Sequence, residues 1–210
     1  MTKKNKWWLI LIYCICGILI ATSITLSIVK TNYAPDVDEP AFINIKQAGS
    51  SKPFPGGEKD SEDSKEVEVY NNLMSNYKSA FEESVMSGFF SGRTSFKSRI
   101  EECNGTNKNP VEKLTGYVVT FYFQEPQTLT LNGKIYNPPT NSNLVLKYTE
   151  MTFSVSEGEK LQSHYVYFKC IADNTAGYTY YRQTVMGSFA DMYKTILSLP
   201  DMNETTSSIE

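Results

Sequence analysis

Residues 7 to 29, WWLILIYCICGILIATSITLSIV, run for 23 positions without a charge and follow three lysines, Lys3, Lys4 and Lys6. As a helix at 1.5 Å per residue this run is about 35 Å long, enough for a hydrocarbon core of about 30 Å. The sequence predicts a transmembrane helix. A secretory signal peptide begins the same way, but its apolar core is usually 7 to 15 residues, and Ala21-Thr22-Ser23 is the only small-residue patch here suited to cleavage. Cys14 and Cys16 lack the preceding small residues of a lipid-attachment signal and read as small apolar side chains of the helix. Gly17 and Ala21 give it a small-xxx-small spacing.

Charge sets the orientation. Lysines crowd the first six residues and Lys30 alone closes the other end, so the bias of basic residues toward the cytoplasm holds the N-terminus inside. The expectation is a single-pass protein of the cell membrane with a cytoplasmic stub over 1–6, the span over 7–29 and everything later outside. Trp7 and Trp8 suit the inner interface and Tyr33 the outer one. Beyond residue 30 there remain 16 basic and 23 acidic side chains, a net of −7. That balance gives no electrostatic reason to bind nucleic acid or anionic lipid.

The segment 30–63 reads as a flexible linker. It holds Pro35, Pro40, Pro53, Pro55, the pair Gly56-Gly57 and the polar run GGEKDSEDSKE, too little apolar surface to offset the entropy of ordering. Within it, Ala41–Ile45 could form a short strand or a docking segment, a reading its brevity makes secondary to the linker. An extracytoplasmic domain is expected over 64–199, able to fold without the anchor, with a disordered tail over 200–210.

Inside that domain Val69, Leu73, Tyr77, Phe81 and Val85 recur at helical intervals and predict a helix from Ser64 to Met86. Phe96 and Ile100 suggest a second helix from Thr94 to Cys103, stopped by Asn104-Gly105. The period then shortens to two. Tyr117–Gln124 reads as a strand, and Asn132-Gly133 centres a hairpin over 128–137. Leu144, Leu146 and Tyr148 alternate, then Met151, Phe153 and Val155, and the slip between the two sets places a bulge at Thr149-Glu150. Strands over 161–171 and 178–186 follow, and a closing helix from Ser188 to Leu199. Short joins make this a five- to six-stranded antiparallel meander. With two helices before it and one after, the fold class is α+β in two layers.

Cys103 and Cys170 are the only cysteines outside the apolar run. In an oxidising compartment they would form a disulfide worth a few kcal/mol by chain entropy; otherwise they are reduced core thiols. Asn104 and Asn203 each begin an N-x-T glycosylation pattern, meaningful only in a eukaryotic host. Catalytic signals are absent: His164 is the sole histidine and has no nucleophile elbow beside it. Glu82-Glu83 and Glu101-Glu102 are neighbours, which on a helix splays carboxylates apart. Gly88, Gly92 and Gly187 match no phosphate loop, and no spacing suggests a metal site or cofactor. The chain is read as no enzyme.

Aromatic residues carry more information. Tyr117, Phe121, Tyr122, Phe123, Tyr165, Tyr167, Phe168, Tyr178, Tyr180 and Tyr181 crowd the strands, and alternation puts some on the face away from the helices. Tyr165 and Tyr167, opposite Val166, Phe168 and Cys170, are the candidate interface. The expected function is a membrane-tethered, non-enzymatic binding or assembly module, a subunit of a membrane complex whose partners are membrane or extracytoplasmic proteins or a second copy. The alternative is a small-molecule or lipid-binding domain with an aromatic-lined pocket between sheet and helices.

The order of elements, a cytoplasmic stub, one span, helices and then a curved sheet, resembles the extracytoplasmic assembly subunits of bacterial secretion and conjugation machines. Their domains have the nuclear-transport-factor-like cone fold. The resemblance covers element order alone, and the closing helix departs from that family's usual strand ending.

Overall fold

The computed structural model describes residues 3–33, 37–50, 53–90, 99–103, 109–131, 133–157, 162–171 and 177–199. In chain order these form α1 (Lys3–Tyr33), β1 (Phe42–Gln47), β2 (Pro53–Glu58), α2 (Ser64–Phe90), β3 (Ile100–Glu102), a 3₁₀ turn (Pro110–Lys113) and β4 (Tyr117–Thr128). They continue with β5 (Thr130–Leu131), β6 (Lys134–Ile135), β7 (Lys147–Val155), β8 (Gln162–Ile171), β9 (Tyr178–Gly187) and α3 (Ala190–Ser198). The protein is α+β: three helices and a large antiparallel sheet ordered β2-β1-β4-β7-β8-β9-β3, with β5-β6 as a separate two-stranded piece.

Alternation divides this sheet cleanly. Ile43, Phe121, Met151, Phe168 and Tyr181 stand in one cross-strand row, and Ile45, Val119 and Phe153 in the next. All are buried on the inner face. Half of that face is roofed by α2, which lays Tyr70, Leu73, Met74, Tyr77 and Ala80 on it at helical spacing, and by α3 through Met192 and Ile196. Asn76 Nδ2 donates to Thr195 Oγ1 at 2.6 Å and ties the two helices. The other half is covered by the β5-β6 hairpin and its flanks, with Leu129, Leu146 and Tyr136 over Tyr148 and Tyr181. The hairpin turns where Asn132-Gly133 was expected, and Gly133 takes φ 71°, the left-handed conformation such a turn requires.

The expected bulge is present. The β7–β8 register shifts between Tyr148 and Glu150. The extra residue lets Tyr148 and Met151, three positions apart, both point inward. Tyr148 then meets Phe123 and Phe168 edge-on at 5.6 and 4.8 Å.

Three expectations need correction. The segment 30–63 is not a linker: β1 sits between β2 and β4 within the sheet, with Ile43 and Ile45 fully buried. A fragment beginning at 64 would therefore lack two strands. Gly56-Gly57 serves close packing instead of flexibility, because a Cβ on Gly57 would run into the backbone of Tyr70 on α2. The second helix does not extend to Cys103, since Ile100–Glu102 pairs as an edge strand with β9; residues 91–98 lie outside the described residues. The sheet accordingly has seven strands, against the five or six expected.

Among the described residues no helix is long and apolar enough to cross a membrane, so the expected transmembrane helix is not supported by them. Side chains of α1 are described only over 7–23, short of the roughly 20 residues that a span needs. Over that stretch the large side chains are exposed, among them Trp7, Trp8, Ile12, Ile18 and Ile20.

Gly57→Ala should lower domain stability by roughly 1–3 kcal/mol through overpacking against backbone that has no rotamer to yield. Urea unfolding followed by circular dichroism measures this. An unchanged midpoint would mean that β2 does not pack on α2 as described.

Candidate functional site: the outer face of the sheet

The face away from α2 and α3 carries two in-register ladders. One runs Asn44, Thr120, Thr152, Tyr167, Arg182, Glu101 across six strands. The other runs Phe42, Tyr122, Glu150, Lys169, Tyr180 and ends at Cys103, whose N–H donates to Tyr180 O at 2.8 Å. Each ladder contains one internal ion pair, and Glu101 pairs in addition with Arg99 at 3.1 Å. Glu101 Oε2 accepts from Arg182 Nη2 at 2.9 Å and Nε at 3.2 Å, and Glu150 Oε1 accepts from Lys169 Nζ at 2.7 Å.

Tyrosines complete both arrangements. The Arg182 guanidinium lies 4.6 Å from the Tyr165 ring centre, and Lys169 Nζ lies 5.1 Å from that of Tyr178. Tyr165 packs on Tyr167 at 6.4 Å, Tyr178 edge-on to Tyr180 at 5.6 Å, and Tyr122 on Phe42 at 6.0 Å. Both cations are thus held between a carboxylate and a ring. At this half-buried depth each ion pair contributes at most about 1 kcal/mol. Its larger effect is to fix the rotamers of the aromatic neighbours. Burial pushes the Tyr180 hydroxyl up to about 12, with Glu150 adding to the rise; burial also raises Tyr122, with Glu150 again contributing. These phenols stay protonated donors throughout the physiological range.

The two tyrosines singled out from sequence share this face but differ in exposure, Tyr165 at 41% and Tyr167 at 8%. Tyr167 forms, with Arg182, Cys103, Lys113 and the Asn109-Pro110 turn, the wall of a cavity of about 610 Å³. That turn is shaped by Asn109, whose side chain accepts from Val111 N–H and donates to Glu112. A second cavity, about 250 Å³, lies at the sheet edge between Pro40-Ala41 and Phe123–Gln127. Neither is between sheet and helices, where the aromatic-lined pocket was expected; there the described side chains of α2, α3 and the sheet form the core.

Cys103 and Cys170 are not bonded. Cys103 lies beside β9 on one side and Cys170, opposite Thr179, on the other. With strands about 4.8 Å apart the two backbones are separated by roughly 9.5 Å, beyond the 7 Å that a disulfide bridges. Burial pushes the Cys170 thiol well up and raises Cys103, the latter partly opposed by Arg182. Both are therefore thiols, not nucleophilic thiolates, at neutral pH. Asn104 and Asn203 lie outside the described residues.

His164 is on the inner face, its Nε2 3.1 Å from Gly187 O and its ring edge-on to Phe189 at 4.7 Å. Burial holds its pKa below the ordinary histidine value, with the Gly187 contact acting weakly the other way. Glu101 and Glu102, expected on a helix, are on β3, where alternation turns them to opposite faces. Among the described residues no group of three or more His, Cys, Asp or Glu is placed to hold a metal ion. The pairing of Arg182 with Glu101 and of Lys169 with Glu150 was not legible in the sequence because only register brings them together. The alternation Tyr165, Tyr167, Lys169 was the one local hint.

No family model, no curated protein and no solved structure matches the chain.

The His164 environment sets a pH dependence. Its folded pKa is depressed, so the unfolded state binds the proton more readily and stability rises with pH in that window. The contribution is complete above the unfolded value near 6.5 and is lost as pH falls through the lower folded value. His164→Gln should flatten the stability profile between pH 6.5 and 5, read by urea midpoints. A profile with the same slope would assign the dependence to other groups.

Proposed function

We propose that the protein is a non-enzymatic, membrane-tethered binding or assembly module. In this reading α1 is the anchor, the N-terminus is cytoplasmic, and the sheet domain is extracytoplasmic and presents its outer face to a partner membrane or extracytoplasmic protein. The observation that carries the reading is the outer face itself: aromatic side chains locked by their own cation and carboxylate neighbours, with Tyr165 left exposed. Groups already ordered lose little entropy on binding, and aromatic residues are the commonest anchors at interfaces. The close packing of the described inner-face side chains favours this over a small-molecule pocket between sheet and helices.

Two features support the anchor. Uncharged sequence fills 7–29, and α1 has no polar face: apolar side chains point in every direction along its described stretch. A helix apolar all round does not rest in water; it is covered by protein or by lipid.

Tyr165→Glu in the full-length protein, purified in mild detergent, should abolish recovery of the partner while leaving the thermal midpoint within about 2 °C, since the site is exposed. Mass spectrometry of what co-purifies with the unmutated chain supplies the comparison. Equal recovery with both chains would remove the outer face as the docking surface. Release of the protein from membranes by alkaline carbonate would remove the anchor.

A further inference from the structure

The chain leaving α1 is docked almost at once. Tyr33 ends the helix, and by Val37 the chain packs against the core. Pro40 O accepts a buried hydrogen bond of 2.6 Å from Tyr70 on α2, and burial pushes the Tyr70 hydroxyl up to about 12, so that donor is never lost at physiological pH. Glu39 pairs with Lys59 at 2.8 Å and with Lys78 of α2 at 3.4 Å. Ala41 N–H donates to Tyr122 O, and Ala41 O accepts from Lys59 N–H, at 2.8 and 2.9 Å. From Phe42 onward the chain is a strand inside the sheet.

We propose that residues 37–47 are a strap that docks the chain on the domain within a few residues of the helix end and so holds the domain close to the helix. The inference rests on α1 being the membrane anchor. Four backbone steps separate Tyr33 from Val37, at most about 14 Å. A free chain from Tyr33 to Ser64 would instead have a root-mean-square span of about 30 Å and a far longer maximum reach. The consequence is a domain kept close above the bilayer, so that a partner is met in the layer next to the headgroups.

Two measurements on the full-length protein in lipid nanodiscs test this. Hydrogen exchange should show residues 41–47 protected by at least ~100-fold over free chain, as for β4 and β7. Exchange at the free-chain rate would overturn the strap, whatever α1 does. Energy transfer from a dye at Glu125→Cys, beside the Pro40-Ala41 cavity, to acceptor-labelled headgroups reads the height. Cys14, Cys16 and Cys103 are changed to Ser for this purpose, Cys170 being buried. Insertion of about twelve Gly/Ser residues between Tyr33 and Val37 should lower transfer at least twofold, because the added chain reaches about 20 Å. Equal transfer before and after insertion would overturn the close hold. Failure of the protein to enter nanodiscs would overturn the anchor reading, and the proposal with it, while 41–47 remained protected.

Discussion

Phe153 is where the two layers of the domain are joined. Its ring stacks on Phe189 at 5.0 Å, meets Phe121 edge-on at 5.4 Å, and lies 5.6 Å from Tyr77, so β4, β7, α2 and the start of α3 converge on one side chain. Phe189 in turn packs on His164 of β8. Such a cluster contributes beyond its buried area, about 0.5–1.5 kcal/mol for each well-oriented pair, and removing its central ring would cost about 3–5 kcal/mol. Among the described residues the inner face is packed with core side chains, and the side of the sheet that carries no α-helix is the outer one.

What the sequence revealed follows the distance between interacting segments. From β4 to β9 each strand pairs with a near neighbour, and the joins carry their own signals: Asn132-Gly133 for a turn, the slip at Thr149-Glu150 for a bulge. Helices α2 and α3 were legible because each carries its apolar stripe within itself. The strands that were missed, β2 and β3, and β1, whose Ala41–Ile45 was read as a strand only secondarily to a linker, are short and lie at or near the sheet's edges, and β1 and β3 find partners far along the chain. Phe42 of β1 pairs with Tyr122, and Glu101 of β3 with Arg182. Locally, Phe42–Gln47 buries too little to repay ordering; only the waiting edge of β4 makes the strand favourable. Likewise, the four-residue spacing of Phe96 and Ile100 suits a helix, and nothing nearby announces the edge of β9.

The candidate site was legible in the same partial way. Alternation alone put Tyr165 and Tyr167 on one face, and they are on one face. Tyr167, unlike Tyr165, lines the cavity that the 3₁₀ turn near Pro110 also walls, and no local pattern encodes the place of that turn. The ion pairs were harder still. Arg182 and Glu101 are 81 positions apart and Lys169 and Glu150 are 19 apart, and a register error of one residue would have sent each to the opposite face.

Those pairs bear on how the outer face can act. The region after residue 30 carries a net −7, whereas on this face Lys169 pairs with Glu150, and Arg182 and Arg99 both pair with Glu101. Charges paired this closely attract a partner only weakly from a distance, and at physiological salt their field is screened within about 8 Å. On the proposed reading, recognition there would rest on short-range contact with tyrosine rings and hydroxyls, which is slow to find and little affected by salt. A domain bound to a membrane is suited to that regime, because confinement to two dimensions raises the effective concentration of a co-resident partner. On the membrane-tethered reading, paired charges at the face and a short connection to the helix belong together: the first gives up long-range steering, and the second makes steering unnecessary.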